Sequence, residues 1–381
     1  MPADSTLAMH VMAQAIPLLT RASPTPGGAP RAEFALAQTV LMVRGAWRER
    51  ATLDATLDAE GLTMRGGELS LGAFGEGFVD RRHPHTYLHE LVVSGLAHAG
   101  LAALSISGGR GFAPFGTDDP MVRPFVKYPV NHHLAQILER GIVMGAARLG
   151  PAIVEAGTFT GEEPQHPSSL PEPRRFGDSW SVRGTLVPSP LIEIQGSYAR
   201  LASPEVPNGF GLDQRKRSIS ARAVSPDGTR YALAEWARTV EHDHTTGADA
   251  FAYESALVEG ALRAGPLGLA LRLEQTDRPE EERSTDPFRT VRPATDLQIA
   301  GITRWRVVTL AIAAPAVTWT TVVGIPLLEV SRLVAAARDP RASFNPDTFY
   351  GQSRFWMVTA GIRLRAGGAH GRMGRYGVAR L

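Results

Sequence analysis

From Leu267 to Glu274 the chain reads Leu-Gly-Leu-Ala-Leu-Arg-Leu-Glu. In an extended chain every leucine falls on one face, while Gly268, Ala270, Arg272 and Glu274 fall on the other. On a helix the same residues would spread leucine round the cylinder and leave no polar stripe, so the period marks a strand. The alternation returns at Leu53–Asp58, Trp180–Leu186 and Ile192–Tyr198. Taken in order, such segments fall near 11–21, 33–48, 51–63, 86–97, 100–108, 134–148, 151–160, 176–188, 190–202, 213–225, 229–241, 249–264, 266–277, 295–313, 315–334 and 352–366. They predict about sixteen strands.

The connections between them alternate between short and long. Trp47–Arg50, Ala97–Gly100, Leu149–Pro151 and Ala264–Pro266 are tight, whereas 22–32, 64–85, 109–133, 161–175 and 335–351 are long. A meander with one tight end, one loose end, an even strand count and strands of about ten residues is what a transmembrane β-barrel requires. The polar faces agree. Asp54, Asp58, Arg183, Glu193, Arg222, Arg272 and Glu274 lie where a soluble sandwich would need an apolar core, and they suit a water-filled lumen. The expected fold is all-β: a closed antiparallel up-and-down transmembrane barrel of about sixteen strands. Residues 1–381 are read as one barrel domain. A soluble all-β repeat protein or propeller is the alternative.

Composition acts mainly by exclusion. With 40 basic and 38 acidic residues the formal charge is +2, which gives no electrostatic reason to invoke nucleic acid. The absence of cysteine removes disulfides, thiolate metal sites and thiol nucleophiles. The longest nearly apolar run, Val307–Val317, contains Thr309 and Pro315 and is far shorter than the ~20 residues of a membrane helix. Met1–His10 lacks the basic start and apolar core of a secretory signal, so the reading expects one that was removed or was never there. Trp180, Tyr198, Phe251 and Tyr253 near the long-loop ends, with Trp47 and Tyr231 near the tight turns, are expected in interfacial girdles.

As a pattern the whole chain resembles the bacterial outer-membrane porin superfamily, loosely of the phosphate-selective type. That resemblance implies a non-enzymatic channel in the bacterial outer membrane, surrounded by its lipid and passing small hydrophilic solutes or ions by passive diffusion. It implies no cofactor and admits a homotrimer. In such porins the third long loop folds into the barrel and narrows it, and the third long connection here is Gly109–His133, rich in proline and aromatics. The constriction is therefore expected at 109–133, with Arg110, Asp118, Asp119, Arg123 and Lys127 lining it. Arg272, Arg304, Arg306, Arg363 and Arg365 are expected to gather on one lumen wall and, with Arg110, Arg123 and Lys127, which outnumber Asp118 and Asp119 in the loop, to favour anions mildly, while Arg183 and Arg222 are expected to line the pore. Asp54, Asp58, Glu193 and Glu274 oppose that charge. Porins of this kind usually end on an aromatic residue of the last strand. Here Thr359–Leu364 stands in for that signal, and 367–381 is expected to run on as a C-terminal tail at the tight-turn side.

Two other chemistries merit weighing. His83, His85 and His89 would share one face of a strand, with carboxylates nearby, and could hold a transition metal. Their spacing enforces no ligand geometry, so hydrogen-bonded histidines at the barrel mouth are the expectation. A membrane-embedded hydrolase would need a serine, a histidine and an orienting group in reach. His89 with Ser94 or His98 with Ser105 are the available pairs, and no Gly-x-Ser-x-Gly turn occurs.

Overall fold

A computed structural model gives the fold, and it describes residues 7–23, 31–62, 85–117, 120–130, 132–164, 167–206, 208–281, 299–339, 345, 347, 352–368 and 371–380. The first strands are β1 (Leu7–Ala22), β2 (Arg31–Trp47), β3 (Ala51–Asp58), β4 (Leu88–Ala99), β5 (Ala102–Gly111) and β6 (Arg140–Leu149). They continue as β7 (Ala152–Thr160), β8 (Phe176–Ser189), β9 (Ile192–Leu201), β10 (Asp213–Val224), β11 (Arg230–His242) and β12 (Asp249–Ala264). The last are β13 (Leu267–Glu281), β14 (Ile299–Ala313), β15 (Val317–Trp319), β16 (Val322–Ala337) and β17 (Arg354–Gly367).

Apart from the short β15, each strand pairs antiparallel with the strands before and after it, β14 with β16 among them, and β1 pairs with both β2 and β17, so the sheet closes on itself. The three-residue β15 pairs only with β16, which leaves sixteen wall strands among the described residues. Closure leaves no unpaired strand edge to face lipid. The expected segment 315–334 thus splits into a short ribbon and a long strand, because Trp319 folds back over Gly324, where a Cβ would collide with its ring.

The period-two pattern sorts the two surfaces. On β13, Leu271 and Leu273 are each 46% exposed on the outside, while Arg272 between them is fully buried on the inside. Leu53, Val93, Ile106, Val258 and Leu310 likewise point outward. This apolar band suits contact with hydrocarbon. At the tight end the turns need left-handed backbone: Gly100, Gly150 and Gly265 take φ of 61°, 54° and 59°, and Arg48 and Glu49 adopt the same region without glycine. Of the aromatics, Trp47 and Trp180 are exposed outside, but Tyr253 is buried and Tyr231 lies under Arg222, so these two face the lumen rather than a girdle.

The lumen is not simply wet. Trp305, Val307, Leu333, Phe355 and Met357, on the inward faces of β14, β16 and β17, form an apolar cluster with Val130 of the connection between β5 and β6. A segment folded back into the barrel gives these walls a dry partner, which the polar faces of the other strands did not foretell.

Candidate functional site

Two segments fill the lumen. The first, described at residues 112–117, 120–130 and 132–139, leaves β5 at the loose end and reaches the far wall before β6 begins at Arg140, later than the expected 134. Inside a barrel its backbone has no strand to pair with, and a buried peptide group without a partner is costly. Wall side chains supply the bonds. Glu329 accepts from the Val126 N–H at 2.6 Å and Glu274 from the Val130 N–H at 2.7 Å. Arg272 donates to the Lys127 carbonyl at 2.9 Å and Arg363 to the Phe125 carbonyl at 3.1 Å. Gln38, turned inward where the β1–β2 register slips, donates to the Val126 carbonyl at 3.1 Å. Many inward charges thus serve the backbone of an inserted segment rather than bulk water.

The second segment follows β17. Residues 371–380 enter from the tight-turn end and lie inside the lumen, deeper than a tail left at that side. Arg375 donates to Glu155 at 3.1 Å, Glu193 at 2.7 Å, Thr185 at 2.9 Å and Gln195 at 2.6 Å. Arg372 adds a 2.8 Å bond to Glu193, and Arg380 pairs with Asp54. Gly374 (φ 74°) lies against the Phe112 ring, where a Cβ would have no room. The two segments meet at Tyr376, whose hydroxyl accepts from the Phe112 N–H at 3.0 Å and donates to Glu90 at 2.6 Å. Burial and the neighbouring Glu90 charge push that phenol well above its ordinary range. Arg183 touches wall and both segments: Glu155 at 2.6 Å, the Gly116 carbonyl at 3.3 Å and the Gly374 carbonyl at 2.7 Å.

The remaining expected residues divide by face. Arg110 is the penultimate residue of β5 rather than a loop residue, and donates inward to the Ser169 carbonyl at 2.7 Å and to Thr86 at 2.8 Å. Arg123 lies between Glu235 (3.4 Å) and Glu259 (3.7 Å), and Lys127 is buried, its backbone N–H donating to Glu329 at 3.3 Å. Arg222 faces inward at the tight end. Arg304 and Arg306 do not belong to a lumen wall. On β14 the inward positions are Thr303, Trp305, Val307 and Thr309, so these arginines face out near the rim, bonded to Asp277 (2.7 Å) and Gln275 (3.1 Å). Asp118, Asp119 and His83 lie outside the described residues.

At the loose end of β3 a third group collects. His85 Nδ1 lies 3.1 Å from Glu60 and 3.6 Å from Asp58, and His89 Nδ1 lies 2.6 Å from Glu139. Thr56 pairs with Glu90 but Leu57 with Leu88, so His89 is the extra residue of a bulge, and it is buried together with Glu90. Burial and the Asp58 charge raise the Glu60 carboxyl to about 7, against the His85 and Gln38 hydrogen bonds. Burial also works against ionisation of Glu139, but the bond to His89 and the two histidines' charges hold it down at about 2. His85 is raised despite burial, through the Asp58 and Glu60 carboxylates. The hydrolase pairs do not form: Ser94 accepts from Ser107 at 2.9 Å, and Ser105 accepts from the Val378 N–H at 3.1 Å.

By sequence the chain matches no family model and no curated protein. Its fold is similar to that of the anion-selective porin from Comamonas acidovorans, with a TM-score of 0.57 at 9% identity, covering 95% of this chain and all of the other. It is also similar to OmpT, an outer-membrane protein of Vibrio cholerae. A form lacking loop L8 gives 0.53 at 8% identity over 96% of this chain, and the trimer form gives 0.52 at 8% over 95%. The chain therefore has the fold of the bacterial outer-membrane porins, a closed antiparallel barrel of sixteen strands.

Proposed function

We propose that the protein is a channel of the bacterial outer membrane through which small hydrophilic solutes diffuse past an internal constriction. The observation that carries this reading is the division of one sheet into an apolar outside and a charged inside, with a loop drawn across the inside. Such a wall seals against lipid and leaves polar space only along the axis. Assembly as a homotrimer, the form named for Vibrio cholerae OmpT, belongs to the same proposal.

A mild preference for anions is part of it too, but its source moves. The loop cation Arg123 is offset by Glu235 and Glu259, and the Lys127 ammonium lies in the field of Glu274. Beside residues 371–380 a cavity of about 420 Å³ is lined by Arg44, Arg372, Arg375 and Arg380 against Asp54 and Glu90. Glu155, Glu193 and Asp54 take up much of that charge through Arg375, Arg372 and Arg380, so only a small preference is expected, acting in a narrow passage of reduced dielectric more strongly than on an open surface. Planar-bilayer recording is the test. Discrete conductance steps, and a reversal potential on the anion side in a salt gradient, are expected. Deleting 112–128 should raise conductance on the order of twofold or more by widening the passage. Absence of steps from refolded, heat-modifiable protein would defeat the channel, and cation selectivity would defeat the arginine argument.

A further inference from the structure

We propose that Asp58, His85 and His89 form a binding site for a divalent transition-metal ion of the zinc type, at the loose end of the barrel wall. One potential ligand atom from each lies within 4.8 Å of the other two, and all three side chains are buried. The residue types suit the ion: two imidazoles and a carboxylate are borderline ligands of the kind zinc accepts. Distance agrees as well. Tetrahedral ligands about 2.1 Å from an ion stand about 3.4 Å apart, and His85 Nδ1 lies 3.6 Å from Asp58 Oδ2 and 3.1 Å from Glu60 Oε2. At 3.6 Å the first contact is too long for a good hydrogen bond, yet it matches one edge of a coordination tetrahedron. Asp58 Oδ2 is buried, and among the described residues no hydrogen bond reaches it. Its other oxygen accepts from the Glu60 N–H at 2.7 Å, which fixes the carboxylate plane.

The outer partners are present too. Glu139 takes the Nδ1 proton of His89 at 2.6 Å, so Nε2 would be the coordinating nitrogen of this imidazole. Carboxylate, imidazole and ion in that order is how proteins orient metal-binding histidines. Three carboxylates, Asp58, Glu60 and Glu139, face two imidazoles in a buried space, and an ion bound by both imidazoles in their neutral form would take over the positive charge that they carry when protonated. Glu60 stands beside His85 but outside the group of three ligand atoms, so a water molecule would complete four-coordination. The strand pattern could not show this group, because Asp58 stands 27 residues before His85 in the numbering and His89 reaches the lumen only through the bulge. The proposal stands independently of what passes through the lumen.

The test uses the full chain, refolded in detergent and stripped with a chelator, titrated with Zn²⁺ by calorimetry and with Co²⁺ by visible absorption. One saturable site per chain is expected, with the ligand-field bands of a four-coordinate nitrogen and oxygen set. H85A/H89A should abolish it, Glu139→Gln should weaken it roughly 10- to 100-fold, and His244→Ala at an exposed turn should leave it unchanged. Asp58→Asn and Glu139→Gln decide the matter if the double alanine variant fails to fold. Wild-type protein that shows no saturable binding, or binding that survives these substitutions intact, overturns the proposal.

Discussion

The loop at 112–139 and the segment at 371–380 enter the same lumen from opposite ends, and they are held by different chemistry. The loop is seated through its backbone: N–H groups of Val126 and Val130 on Glu329 and Glu274, carbonyls of Phe125 and Lys127 on Arg363 and Arg272. Its own side chains pack dry, as Phe125 does between the Arg272 guanidinium, 4.0 Å from its ring centroid, and Ala270 with Ala311. The post-barrel segment is seated through its side chains, with Arg372, Arg375 and Arg380 reaching Glu193, Glu155 and Asp54. The first arrangement tolerates sequence change in the loop but not in the wall. The second depends on a few arginines in the segment itself.

That difference sets unequal costs for single substitutions. The largest is expected at Arg375, which is 1% exposed and bonded to two carboxylates, an amide and a hydroxyl. Arg375→Ala leaves Glu155 with Arg183 alone and Glu193 with Arg372 alone, so a loss of about 3 kcal/mol is expected, the low end for a buried pair broken from one side. Denaturant unfolding of the refolded barrel should show that loss, together with higher conductance as the segment leaves its seat. A variant that unfolds and conducts like the parent would mean that the segment is not held by this arginine.

Next in size is Glu329→Ala. It strips the acceptor from the Val126 and Lys127 N–H groups while leaving every loop side chain in place. Orphaned buried donors cost about 1–3 kcal/mol each, so a destabilisation of about 2–3 kcal/mol is expected. Replacing Val126 itself by alanine should cost less, since its backbone bond survives. If that order were reversed, packing rather than the backbone would be what seats the loop.

The contrast also explains what could be read in the chain. Strand period and loop asymmetry are local properties, so the wall and its closure were legible from alternation and spacing. Two things broke the period. A bulge turned His89 inward and a register slip at Gln38 did the same, while on β14 the period held but with the phase that puts Trp305 inward and Arg304 and Arg306 outside. The partners of the inward charges were beyond reach, since Arg183 joins Glu155, Gly116 and Gly374 across 191 residues at the widest. The signal for 371–380 was present but faint: Gly371, Gly374 and Gly377 recur every third residue with arginine between, a pattern of close backbone approach rather than of a strand.

The smallest expected effect lies where the two segments touch. Tyr376→Phe keeps the ring and removes the hydroxyl, so the Phe112 N–H loses its acceptor and Glu90 loses one donor while keeping those from Gly374 and Thr56. A loss of about 1–2 kcal/mol is expected from bonds of this kind. The same hydroxyl gives a pH signature. Its folded pKa is raised, by burial first and by Glu90 second, so its stabilising contribution is whole below the unfolded tyrosine value of about 10 and is lost as pH rises through the folded value. Subtracting the ultraviolet alkaline titration of the Tyr376→Phe protein from that of the parent isolates this phenol among the seven tyrosines. A difference curve that lags behind free tyrosine is expected, with parent and variant converging in stability once it is ionised. Ionisation near the ordinary value would mean that Tyr376 faces water and that loop and segment do not meet, which would leave each of them to narrow the lumen separately.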